Sequence, residues 1–267
     1  MKSYKIITFT LLIVMSITFV SSAQVQPEFD TDVDWINGYI QATGMAVPPN
    51  NISSEAQGIV LAREGAIVTG RARILEYLKG VYIDEKTTVV NMMANSKINQ
   101  SVNGYIRGTY IVDGSGNWDG KIYSIKLRKD LAGFYRIVYK KNKDDFTNDK
   151  PTKETSYTGL VIDARNVNLN PQVMFKIIDE SGSTIYNSTK AYYQSAIDKG
   201  LTGYAPSVQD AVNNSRTGSK PLVVEAVAAS GENNTVVVVS NEDAQKIKRL
   251  IAETKIFRKA KIMVVME

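Results

Sequence analysis

Residues 54–80, SEAQGIVLAREGAIVTGRARILEYLKG, decide the fold. Ser54-Glu55-Ala56-Gln57 has the S-x-x-Q form of a capping box, in which side chains and backbone satisfy each other's orphan donors at a helix start. Behind it Val60, Ile67, Ile74 and Leu78 recur at helical spacing, and Gly80 stands where a terminating glycine belongs. Ala62, Ala66 and Gly70 form a second stripe of small residues, which lets such a helix lie close against a sheet. The expected helix is about 25 residues, or roughly 38 Å at ~1.5 Å per residue.

Strands are expected on either side. Trp35 to Ala42 reads as one, ended by Val47-Pro48-Pro49-Asn50-Asn51, whose prolines cannot join a ladder. Thr87 to Met93 and Val102 to Val112 are β-branched and apolar. Asp113 to Gly120 reads as a turn-rich connector, and Lys121 to Arg128 alternates as a half-buried strand should. Phe134 to Tyr139 continues or adds to the sheet. The first module is therefore read as β-α-β-β-β over residues 35–140.

Residues 141–156 (KNKDDFTNDKPTKETS) are charged and poor in apolar side chains, and we read them as the linker between two domains. A long surface loop within one domain is the competing reading. Lys140, Lys141 and Lys143 are the densest basic run, but Asp144 and Asp145 follow at once, as in a solvated linker rather than a polyanion site. In the C-terminal module, 157–267, strands are expected at Tyr157 to Asp163, Val173 to Ile178, Leu222 to Ala228, Thr235 to Val239 and Lys261 to Met266. A short helix is expected over Pro206 to Asn213, and a second behind Ser240, with Asp243 in its first turn and Ile247, Leu250 and Ile251 inward. The class is α+β: two modules, each a mainly antiparallel sheet with one or two packed helices.

The N-terminus sets the compartment. Lys2 and Lys5 precede an apolar run from Ile6 to Val20, and Ser21-Ser22-Ala23 supplies small residues for cleavage. We expect residues 1–23 to be a signal peptide, residues 24–34 a loose acidic leader, and the chain to be exported. After cleavage no transmembrane segment is expected, and the modest net charge of +5 gives no reason to expect a nucleic-acid partner.

Zero cysteines and zero histidines remove disulfides, thiolate nucleophiles, imidazole bases and the usual zinc sites. The 43% hydrophobic content must hold the fold instead. Asp113-x-Ser115-x-Asn117-x-Asp119 alternates oxygen side chains as a calcium loop does, but Trp118 and Ser124 occupy the positions of the EF-hand Gly and Glu. A hairpin connector has the same composition. Tyr82 and Lys86 have the Y-x-x-x-K spacing of some reductases without a dinucleotide fingerprint. The neighbouring acids Asp84-Glu85, Asp179-Glu180 and Glu242-Asp243 could serve a glycosidase only if folding brought carboxylates together, because adjacent strand residues face opposite ways. Among fourteen tyrosines, Tyr192, Tyr193 and Tyr204 lie in a polar region and are candidates for partner contact or for half-buried sheet positions. We assign no catalytic, cofactor-binding or metal-binding residue and expect no enzyme activity.

Six short motifs carry a resemblance: ATGMAVP at Ala42 to Pro48, AREGAI at Ala62 to Ile67, ARILE at Ala72 to Glu76, GVYID at Gly80 to Asp84, TTVVN at Thr87 to Asn91 and VNGYIRG at Val102 to Gly108. In this order they resemble the twenty-kilodalton outer-membrane lipoprotein family and the N-terminal domain of flagellar assembly protein T. The second half is similar to a companion domain of exported bacterial proteins, through YTGLVIDAR at Tyr157 to Arg165 and KPLVVEA at Lys220 to Ala226.

The resemblance implies a non-enzymatic periplasmic part in building or bracing the envelope, with envelope or flagellar basal-body proteins, or further copies of the chain, as partners. No cysteine is present to carry a lipid, so outer-membrane association would run through protein contacts. The alternative is a periplasmic ligand-binding module with a pocket between its halves.

Overall fold

A computed structural model describes residues 31–141, 157–187 and 190–266. The stretch expected to be a signal peptide, most of the expected leader and nearly all of the expected linker lie outside these residues.

The first sheet is antiparallel throughout, ordered β1 (Thr31–Asp34), β2 (Tyr39–Ala46), β5 (Tyr123–Asp130) and β3 (Tyr110–Ile111), with β4 (Asn117–Trp118) also on β5. Residues 31–34, read as leader, instead form its edge strand. Their acidic composition hid a period-two pattern in which only Val33 is buried. The strand expected from Trp35 starts at Tyr39, because residues 35–38 turn. Asp34 accepts hydrogen bonds from the Asn37 backbone N–H (2.8 Å) and amide (2.7 Å), and Gly38 takes φ +74°.

Helix α1 (Glu55–Gly80) forms as expected, and the Ser54 hydroxyl accepts from the Gln57 N–H at 3.2 Å. Gln57 returns to the N–H of Ser53 rather than of Ser54. The small stripe seats the helix on β2. A Cβ on Gly44 would lie 1.9 Å from the Ala66 carbonyl oxygen and 2.6 Å from the Gly70 nitrogen. Ile67, Ile74 and Leu78 are buried, whereas Val60 faces outward.

Residues read as strands fall in helices α2 (Val89–Met93), α3 (Ser96–Arg107) and α4 (Leu131–Lys141), although the end of the stretch from Val102 to Val112 does form β3. Their local chemistry overrides β propensity. The Asn91 side chain accepts from the Thr88 N–H at 2.9 Å, and Asn95 caps Lys97 and Ile98. The buried positions fall at helical spacing: Val102, Tyr105 and Ile106 in α3, and Leu131, Phe134, Tyr135, Val138 and Tyr139 in α4.

The second sheet corrects the expectation of a mainly antiparallel module. Its order is β8 (Thr184–Tyr186), β7 (Ile177–Asp179), β11 (Val236–Val239), β10 (Pro221–Ser230), β6 (Gly159–Asp163), β12 (Ile262–Val265) and β9 (Gly203–Ala205). Parallel pairing joins β7–β11, β10–β6, β6–β12 and β12–β9; only β7–β8 and β10–β11 are antiparallel. β11 and β12 are buried at every position, as strands covered on both faces must be. Val161, Met263 and Val265 pack against α6 (Val208–Asn213), while Leu160, Ile162 and Val264 join the larger core with residues of α5 (Tyr193–Lys199) and α7 (Asn241–Glu253). Ser240 caps α7 as expected, accepting from the Asp243 N–H at 3.1 Å.

That larger core runs without interruption from Val33 to Val264, through both sheets. The backbone of residues 82–83 meets that of 173–174 (Val173 N–H to Tyr82 O, 3.1 Å; Met174 N–H to Ile83 O, 2.7 Å). The Tyr139 hydroxyl donates to the Val173 carbonyl at 2.8 Å inside the protein. Among the described residues no helix is long and apolar enough to cross a membrane.

Candidate functional site

A cleft of about 300 Å³ opens where the halves meet. The turn at Trp35 to Gly38 forms one lip, held by the Asp34–Asn37 bonds, and Ala132 and Tyr135 of α4 supply one wall. The opposite wall comes from the second half, through Lys199 at the end of α5, Tyr204 of β9, Met263 of β12, and Asn214 and Arg216 beyond α6.

Arg216 organises that wall. Its guanidinium donates to the carbonyls of Ala260 (3.0 Å), Gly200 (3.3 Å) and Lys199, tying the end of α5 to the loop before β12. Burial lowers its pKa, but an arginine remains charged there. The backbone beside it admits only glycine. Gly200 has φ +75° and a Cβ there would meet the Tyr135 ring at 2.9 Å; a Cβ on Gly203 would lie 2.4 Å from the Met263 sulfur.

The polar groups facing this cleft are unevenly matched. Tyr204 is satisfied, donating to the Gln172 carbonyl at 3.2 Å and accepting from its N–H at 3.3 Å, while its ring meets Trp35 edge-on at 5.8 Å. Tyr135 is 9% exposed, and its hydroxyl has no hydrogen-bond partner among the described residues. Burial pushes that phenol up to about 12, against a smaller opposite pull from Arg216. The Lys199 ammonium also has no hydrogen bond or ion pair among the described residues. Partial loss of solvent lowers its pKa first, followed by repulsion from Arg216, Lys261 and Lys259.

The residues singled out by sequence are dispersed, and most serve the fold. Asp84 accepts from the N–H groups of Lys86 and Thr87, both at 2.9 Å, and Glu85 pairs with Lys176 across the junction at 3.1 Å. Asp179 ties down its own turn, and the Ser181 hydroxyl is the main cause of its lowered pKa; Glu180 accepts from the Asn241 N–H at 2.9 Å. Glu242 and Asp243 share Lys246 at 2.9 and 2.8 Å. Glu180 thus lies beside the Glu242-Asp243 pair at the start of α7, while Asp84 and Glu85 lie elsewhere, at the junction. Asp119 accepts from the N–H groups of Lys121 (2.8 Å) and Ile122 (2.7 Å), as a hairpin connector would. Among the described residues no group of three or more acidic, histidine or cysteine side chains is placed to hold a metal.

Tyr82 donates to the Asn233 side chain of the other half at 3.0 Å, so this tyrosine is a clasp. Of the three suggestive tyrosines, only Tyr204 lines the cleft. Sequence reasoning missed Tyr135, Lys199 and Arg216. Lys199-Gly200 does carry a helix-end signal, a basic last turn followed by glycine, but Arg216 has no local signature at all.

Residues 159–267 match a family model described as the second domain of Treponema pallidum Tp0624. No curated protein matches this chain.

Proposed function

We propose that this chain is an exported, non-enzymatic structural or assembly protein of the bacterial envelope, working in the periplasm and serving the flagellar basal body. Export rests on the signal-peptide reading of residues 1–23. The envelope role rests on the motif resemblance of residues 35–140 to the lipoprotein family and to flagellar assembly protein T. The match of the second half to a domain of a bacterial protein accords with the expected companion module.

One observation of the fold supports the reading: the first half presents two surfaces whose composition suits protein contact. Helix α1 buries its small residues with Ile67, Ile74 and Leu78, yet also exposes Val60, Leu61 and Val68 outward, apolar groups that an ordinary surface helix keeps inside. The sheet face away from α1 bears Tyr39, Gln41, Arg128 and Tyr110, with the Arg128 guanidinium 3.9 Å from the Tyr39 ring centre. Tyr and Arg are the residues enriched where proteins meet.

A clean deletion should impair motility or envelope integrity, and the purified chain should self-associate or capture a basal-body or outer-membrane protein. Normal motility and envelope in the deletion strain would count against the proposal. The junction cleft favours a second reading, a ligand-binding module with its pocket between the halves.

A further inference from the structure

We propose that the junction cleft binds a small organic anion, a carboxylate or phosphate ester with an apolar body; this rests on the ligand-binding reading. The cleft lining holds several donors that lack partners. Three groups on the lining can donate and have no hydrogen-bond partner among the described residues: the Tyr135 hydroxyl, the Lys199 ammonium and the Trp35 indole N–H. Tyr135 is nine-tenths buried as a residue and lines the cleft, where an acceptor on a ligand can take its hydroxyl hydrogen bond.

Two acceptors nearby already carry partners. Asp198, the one acid on the lining, accepts from Gln194 at 2.9 and 3.0 Å and lies 4.0 Å from Arg136. Asn214 accepts from the Arg216 N–H at 2.9 Å. Positive charge outweighs the single acid: Arg216 on the wall and Lys259 and Lys261 repel Lys199 more than Asp198 attracts it. An anion here would accept from the free donors and relieve that repulsion. The Trp35 ring, Ala132 and Met263 supply an apolar surface for the rest of the molecule. A volume of about 300 Å³ equals roughly ten waters at ~30 Å³ each, the size of a small dicarboxylate rather than of a polymer.

The test is calorimetric titration and thermal melting of the full chain with succinate, inorganic phosphate and neutral N-acetylglucosamine as probes. Succinate or phosphate should bind and raise the melting temperature. Lys199→Gln should weaken that binding about tenfold, since a charge-assisted bond is lost. Tyr135→Phe should weaken it about fivefold, as for one neutral hydrogen bond. Each ligand-free variant should melt close to the parent, which separates lost binding from lost structure. Anion binding that both variants retain in full would overturn the proposal, because the anion would then sit elsewhere. Binding of the neutral sugar alone, abolished by Trp35→Ala, would sink the anion inference and leave the cleft reading standing. Binding of none of the three would sink both.

Discussion

Gly44 shows how little room the first half leaves. A methyl group there would strike the Ala66 carbonyl and the Gly70 nitrogen, both backbone atoms of a helix that cannot yield locally. Gly44→Ala should therefore cost about 3 kcal/mol or more, at the upper end of overpacking penalties. Gly70→Ala, whose added carbon first meets the movable Leu127 side chain at 2.9 Å, should cost less. Urea unfolding midpoints of the two variants give the comparison. Arg216 is the corresponding residue of the second half. Arg216→Met would strand the carbonyls of Lys199, Gly200 and Ala260, and we expect a loss on the order of 3 kcal/mol. Arg216→Lys should not rescue it, because a single ammonium cannot reproduce the planar fork. The small stripe of α1 announced close packing on a sheet but not the residue it meets, and the partners of Arg216 lie 16, 17 and 44 residues away and left no trace in the sequence.

At the scale of elements, legibility followed the range of the determining contacts. Helices α1 and α7 were readable because their caps and buried faces lie within a few residues of one another. Ser240→Ala should cost about 1 kcal/mol through the lost bond to the Asp243 N–H, measured by chemical denaturation. Helices α3 and α4 were misread because β-branched and aromatic residues outweighed the i, i+3, i+4 spacing of Val102, Tyr105 and Ile106, and of Leu131, Phe134 and Tyr135. In α4 the Tyr135 and Tyr139 rings meet the second half while Phe134 meets Tyr105, so the pattern reflects burial on several sides. The outward residues of α1 make a different prediction. Val60→Glu with Val68→Lys should change stability by no more than about 0.5 kcal/mol, since both are exposed. The same changes should abolish any self-association seen by sedimentation; association that survives them would remove α1 from the contact surface.

At the scale of the molecule, one core shared by both sheets predicts one transition. Calorimetric unfolding should be a single cooperative event with matching van't Hoff and calorimetric enthalpies, despite two sheets of different topology. Tyr139→Ala, at a fully buried position that bonds across the junction, should lower the whole transition by about 3–5 kcal/mol rather than split it. The same interior sets the alkaline limit. Burial raises the phenols of Tyr105, Tyr139, Tyr186 and Tyr204, and takes Tyr135 up to about 12. The folded state holds these groups protonated more tightly than the unfolded chain, whose tyrosines titrate near 10. The stability contributed by Tyr135 is thus complete below about pH 10 and is lost as pH rises through about 12. An ultraviolet tyrosinate titration should show an exposed class ionising normally and a buried class ionising only as the protein unfolds.

Residues close to one another along the chain determined the long helix, the capped α7, the buried final strand and the α+β class, because caps, glycines and apolar periods act over a few positions. The parallel pairing of β6 with β10 and β12, the continuity of the core and the composition of the cleft were decided only by the tertiary structure. Strand order and the meeting of Trp35, Tyr135, Lys199 and Arg216 depend on which surfaces bury one another across a large separation in sequence. That choice is made by packing the whole chain at once, and no local stretch of residues contains it.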